Sequence, residues 1–332
     1  MKDNDITVLS TVSPFGPVEG NMPYAGIATF AGYPLWSSEQ KADAVVLGVP
    51  YDEGTTYRPG TRFGPRAVRN ASMFYTYEGQ DDRFYDADRD RWILRGKTIA
   101  DAGDVAIEPL NLEKNQAATT RAVATILQSG AVPAIIGGDH SITHPVVRAF
   151  KQKPFHYVHF DTHADCDRIF GSGDTHGSPV ARIMEEGLAQ SITILGVRGL
   201  TNSGHDLAWA REQGVRIITA RELRERRVAA DPDLFSDIFP KGNYYLSLDI
   251  DFFDPSAAPG TGTPEPGGLF FPEFSDVVQA VTKKGTIIGF DVVEVSPLVD
   301  DRSQITAHLA ARCLLEMMSG ALDQAGTAPP AC

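Results

Sequence analysis

Apolar positions in this chain cluster in short runs separated by polar stretches. The runs at residues 44–49, 98–100, 132–136, 155–160, 192–197, 215–219, 244–248 and 286–290 have the length and the β-branched or aromatic content of buried strands. Between them, residues 111–127, 142–150, 179–185, 206–213, 232–239 and 272–283 carry apolar positions at helical spacing. A further helix opens beside Pro65, and a last one covers 305–322. Strands that are apolar on both sides cannot face water on either, so the alternation predicts an α/β fold: one mostly parallel sheet of eight strands with helices on both faces. Residues 1–40, rich in Gly, Pro and Ser, read as an irregular arm. Residues 41–323 form one domain without a linker or internal repeat, and 324–332 read as a loose tail.

Several of these runs end in groups that can hold metal. The run at 155–160 leads into Asp161-Thr162-His163-Ala164-Asp165, and alternate side chains share a face if the chain leaves the sheet extended. Strand ends are also where open α/β sheets keep their sites. The run at 244–248 ends in Asp249-Ile250-Asp251, and Gly137-Gly138-Asp139-His140-Ser141 adds one more imidazole. Carboxylates two residues apart on one strand repel each other, so a positive group should sit between them. Two His and four Asp exceed the needs of a single four-coordinate zinc but suit two adjacent divalent ions with a bridging water.

Composition narrows the partners. A formal net charge of −13, from 30 Lys and Arg against 43 Asp and Glu, excludes binding through a basic surface to nucleic acid or anionic membrane. It suits a small cationic substrate. There is no apolar run long enough to span a bilayer and no secretory start, which makes the cytoplasm the expected location. Cys166, Cys313 and Cys332 form no metal or disulfide framework, and Cys166 reads as a small buried hydrophobe. The glycines of the 51–66 loop match neither nucleotide-binding fingerprint.

Taken together, the His140, Asp161 and Asp249 motifs, Pro259-Gly260-Thr261-Gly262-Thr263-Pro264-Glu265 and Asp291-Val292-Val293-Glu294-Val295-Ser296-Pro297 resemble the signatures of the arginase and agmatinase ureohydrolases. The likeness runs from about residue 44 to 320. The Arg62-Phe63-Gly64-Pro65-Arg66 loop and the Glu294-Val295-Ser296-Pro297 ending resemble the agmatinase and guanidinobutyrase branch. The resemblance implies a three-layer α/β/α sandwich, a catalytic domain over 41–323, and a binuclear centre of manganese, or of nickel as in some relatives. It also implies homotrimers or homohexamers, with mixed assemblies in some relatives. By motif, His140, Asp161, Asp165 and Asp249 would hold one ion and Asp161, His163, Asp249 and Asp251 the other. His176 would be the proton shuttle, Glu294 would receive the guanidinium, and Asp165 would also orient a metal-bridging hydroxide that attacks the guanidinium carbon. Urea and an amine would be released.

In the loop after Asp165, Arg168 suits a carboxylate tail and Asp174 an amine, and either could pair with the other. Thr162, Phe252-Phe253 and Leu298-Val299-Asp300 depart from the family pattern and predict a reshaped or narrower pocket. The substrate candidates are agmatine, guanidinobutyrate, guanidinopropionate, and free guanidine or a biguanide with nickel; a non-catalytic partner subunit is the alternative. A one-zinc amide deacetylase is disfavoured by His140 and Asp251, and a thiol hydrolase would need Cys166. His144, His156, His159, His205 and His308 read as packing or surface residues.

Overall fold

The computed structural model describes residues 23–76, 83–151, 153–168, 174–228, 235 and 237–323. In chain order the elements are β1 (Ala44–Val49), α1 (Gly64–Ser72), β2 (Phe84–Asp86), β3 (Arg91–Ile93), β4 (Ile99–Asp104), α2 (Leu112–Gln128), β5 (Val132–Gly137), α3 (Thr143–Arg148) and β6 (His156–Phe160). They continue with α4 (Pro179–Glu185), β7 (Ser191–Val197), α5 (Gly204–Glu212), β8 (Arg216–Thr219), α6 (Ala220–Val228), β9 (Gly242–Asp249), α7 (Phe271–Thr282), β10 (Gly285–Val293) and α8 (Ile305–Leu322).

All eight expected strands form and join one sheet in the order β4-β1-β5-β10-β9-β6-β7-β8. Every ladder in it is parallel. Alternation divides the core between two faces. Val158, Phe160, Leu246, Leu248, Phe290 and Val292 pack toward α1, α6, α7 and α8, whereas Val45, Leu47, Ile135, Tyr157, Tyr245 and Val293 pack toward α2, α3, α4 and α5. The crossover from β5 to β6 spans β10 and β9, which return later in the chain to fill the gap. The carboxyl ends of β5, β10, β9 and β6 therefore lie side by side where the winding reverses, the place where such sheets build sites.

Some elements differ from the periodicity reading. Helix α6 was not expected, because Ala-Arg-Glu-Leu-Arg-Glu-Arg-Arg-Val buries only Ala220 and Leu223 among its described side chains and carries no apolar stripe. Half of the helix expected over 232–239 lies outside the described residues, and Asp237 and Ile238 stand in a turn rather than a helix. The antiparallel hairpin of β2 and β3 has strands of three residues, too short for alternation to register. Of the N-terminal arm, residues 30–36 dock on the sheet edge: the Trp36 N–H donates to Asp101 O, the Asp101 N–H to Pro34 O, and Phe30 and Tyr33 are buried. The tail at 324–332 lies outside the described residues. Among those residues, no helix is long and apolar enough to cross a membrane.

Candidate active site

Strand alternation puts His159 and Asp161, Ser247 and Asp249, and Asp291 and Val293 on the face covered by α2 to α5, at the carboxyl ends of adjacent strands. There Asp161 is shared between two groups of ligands. Its Oδ2 lies 3.1 Å from His140 Nδ1, and its Oδ1 lies 3.4 Å from His163 Nδ1. His140 Nδ1 is also 3.1 Å from Asp165 Oδ2 and 3.3 Å from Asp249 Oδ2, while His163 Nδ1 is 3.2 Å from Asp251 Oδ2. All six expected metal ligands thus converge.

They converge through turns rather than continued extension. The Asp249 carboxylate accepts the Asp251 N–H at 2.8 Å, opening a short turn over Ile250–Phe252, and the Asp161 carboxylate accepts the His163 N–H. Asp165 takes a left-handed backbone, φ 49°. Upstream, Gly138 lets two loops touch: a Cβ there would lie 1.7 Å from the Tyr51 carbonyl oxygen.

The chemistry of this donor set fits divalent cations. His140 Nδ1, His159 Nε2 and Asp161 Oδ2 are buried, face one another and lack hydrogen-bond partners. Burial, with repulsion from Asp251 and Asp161, pushes the Asp249 carboxyl well above the usual carboxylate range; burial and Asp161 raise Asp251. Asp161 moves the other way, because the surrounding imidazoles outweigh its burial. Burial likewise opposes charge on His163, but Asp251 and Asp161 overcome it and push its pKa to about 12. Crowded carboxylates that hold imidazoles in the charged form favour positive charge at their centre. His140, His159, Asp161 and Asp165 form one potential ion-holding group, and Asp161, His163 and Asp251 a second.

Behind His140 stands a polar network that the sequence reading missed. Asp291, fully buried, accepts from Ser247 Oγ at 2.6 Å, Tyr245 OH at 2.7 Å and Thr143 Oγ1 at 3.0 Å. Because Ser247 spends its proton on Asp291, it accepts from His140 Nε2, 2.8 Å away. His140 therefore keeps a proton on Nε2, which leaves Nδ1 to face the carboxylates. They overcome burial and raise its pKa well above the ordinary value, and an ion bound there would take the Nδ1 lone pair in place of that second proton. Two signals could have revealed this: Asp291 is a lone acid inside an apolar strand, and Ser247 shares the face of Asp249.

His176 and Glu294 flank the cluster. The Thr56 N–H donates to His176 Nε2 at 3.1 Å, so the ring proton sits on Nδ1, which faces Glu294 Oε1 at 3.1 Å. Glu294, at the left-handed φ of 63° just past β10, also receives the His140 N–H on Oε1 at 2.9 Å. Its Oε2 is buried without a partner. Burial disfavours charge on His176, but Glu294 outweighs it and raises the pKa to about 9; a proton gained at Nε2 would meet Thr56 Oγ1, 2.7 Å away.

Arg168 and Asp174 have separate partners. The Arg168 guanidinium lies 4.2 Å from the centre of the Trp209 ring, whereas Asp174 accepts from Gln116 Nε2 at 2.9 Å and lies 3.5 Å from Arg182. Phe252 and Phe253 do not narrow the pocket: both are buried in an aromatic cluster with Phe160 and Phe274. Leu298 stands exposed beside Gly60, and Asp300 accepts from Thr306 Oγ1 and N to cap α8.

The chain matches the model of the Arginase family over residues 42–320. A guanidinobutyrase of Pseudomonas aeruginosa is 38% identical over 315 residues, covering 91% of this chain and 95% of the relative. A guanidinopropionase of the same species is 36% identical over 300 residues, with 89% and 92% covered. Among solved structures, proclavaminate amidino hydrolase from Streptomyces clavuligerus superposes with a TM-score of 0.80 at 36% identity, covering 90% of this chain and 98% of that one. The shared sheet, the converging Asp and His side chains and these likenesses agree: the chain belongs to the arginase family, in its agmatinase- and guanidinobutyrase-like branch of hydrolases acting on guanidino C–N bonds.

Proposed function

We propose that this chain converts a small guanidino acid and water into urea and an ammonium-bearing acid, using two divalent ions, manganese or nickel. His140, Asp161, Asp165 and Asp249 would hold one ion, and Asp161, His163, Asp249 and Asp251 the other. When bound, such ions supply the charge that makes a nucleophilic hydroxide available near neutral pH.

The observation that carries the reading is the free, buried Oε2 of Glu294. With Oε1 occupied by His140 N and His176, Oε2 remains to accept from a planar guanidinium beside the cluster. Asp165 would orient the attacking water. His176 would give the proton at Nε2 to the departing amine, while Glu294 steadies its Nδ1–H. A carboxylate tail is favoured over an amine tail because Asp174 is already engaged by Gln116 and Arg182. The exposed Arg168 guanidinium, braced on Trp209, is the tail's proposed partner, and the names of two relatives specify guanidino acids. The same reading carries a homotrimer or homohexamer in the cytoplasm and a single catalytic domain over 41–323.

A urea-release assay over guanidinobutyrate, guanidinopropionate, agmatine, guanidine and a biguanide, with each metal, tests this directly. The expected result is a kcat/KM for a guanidino acid at least about tenfold above that for agmatine, the equivalent of one charge-assisted contact. A preference for agmatine or guanidine contradicts the tail assignment, and no urea from any compound contradicts the reading.

A further inference from the structure

His159 lies outside the ligand set carried by motif, yet it is fully buried and sits beneath the cluster. Its Nε2 is 3.0 Å from Asp161 Oδ2 without the alignment of a hydrogen bond, and 3.7 Å from Asp165 Oδ2, beyond hydrogen-bond reach. Its Nδ1 is 3.0 Å from the hydroxyl of Tyr157, the preceding residue on the same strand face. Its ring stacks on that of His140, with centres 4.5 Å apart and planes at 17°.

These contacts decide where the ring proton goes. The Nε2 edge faces two carboxylates, which favour an N–H there; Nδ1 then accepts from the phenol. A ring nitrogen that carries a proton cannot also be a metal ligand, so the His159 edge is a donor. Its nearest acceptor is the Asp161 oxygen that also faces His140.

We propose that Tyr157 and His159 form a positioning pair: the phenol sets the His159 tautomer, and the His159 N–H dipole, 3.0 Å from Asp161 Oδ2, biases that carboxylate electrostatically toward the orientation that serves the His140 side of the cluster. The stack on His140 couples the two imidazoles, so one strand steadies a carboxylate and an imidazole of the same ligand set. The proposal rests on the two-ion reading above.

The test uses the full chain and its Tyr157→Phe, His159→Gln and His159→Leu variants. Each is titrated with Mn2+ against a competing chelator, beside kcat and KM and thermal unfolding in EDTA. The expected result is two ions per chain at saturation in every protein. His159→Leu weakens the affinity of one ion by about 10- to 100-fold, as loss of such supporting partners does. Tyr157→Phe shows a smaller loss, His159→Gln recovers part of the affinity, and kcat falls at fixed Mn2+ with KM little changed. Tyr157→Phe removes a single oxygen, so the test survives a poorly folding His159→Leu.

If the parent binds two ions and both Tyr157→Phe and His159→Gln bind them within twofold of the parent, the positioning role is overturned alone. If His159→Leu loses one ion even at saturating Mn2+, His159 is a ligand and the proposal is equally overturned. A parent that binds no Mn2+ overturns the two-ion reading and this one with it.

Discussion

His176 illustrates how one carboxylate sets a site's response to pH. Burial alone would keep this imidazole neutral, but Glu294, 3.1 Å away, raises its pKa from the ordinary 6.5 to about 9. A pKa raised on folding adds stability that is complete below about 6.5, where both states are charged, and is lost as pH climbs through about 9. In chelator-treated protein, His176→Asn should therefore cost about 3 kcal/mol at pH 6 and well under 1 kcal/mol at pH 10. Urea denaturation at the two pH values checks this, and an equal loss at both would contradict the Glu294 pairing. The same geometry has Glu294 present one oxygen to His176 and leave the other buried without a partner.

At the scale of the element, the turn carrying Asp251 is held from outside by Arg198, just past β7. Its guanidinium donates to the carbonyls of Asp251 at 2.7 Å, Glu265 at 2.8 Å, Phe252 and Phe253 at 3.2 Å, and Gly196 at 3.3 Å. Replacing it leaves several shielded carbonyls unpaired. Arg198→Met should lower stability by about 2 kcal/mol and Arg198→Lys by less, with Mn2+ affinity falling in the same order. Denaturant titration with and without Mn2+ reads both, and a change under about 0.5 kcal/mol would contradict the clamp. This contact also marks what sequence reasoning reaches. Asp161, His163, Asp165, Asp249 and Asp251 were legible because they follow directly on apolar runs at alternate positions, although turns and not continued extension gather His163, Asp165 and Asp251. Ser247, Asp291 and Arg198 were not singled out, since their partners come from segments far apart in the chain, and Tyr157 was not because it read as one more aromatic in a buried strand. Periodicity found all eight sheet strands yet passed over α6, whose charged surface hides a two-residue anchor.

For the molecule as a whole, the parallel sheet and the site are one construction. The late return of β9 and β10 between β5 and β6 brings Asp249, Asp251 and Glu294 to His140 and Asp161, which are set down much earlier in the chain. On the two-ion reading proposed above, four Asp carboxylates would nearly balance two doubly charged ions, and the acidic cluster that otherwise opposes folding would become a source of stability on binding them. The most direct measurement is the number of ions per chain after loading with Mn2+ or Ni2+ and removal of the excess, by elemental analysis. The expected result is two per chain, with thermal stability falling as a chelator removes them; one or none in natively folded, saturated protein would contradict the two-ion centre.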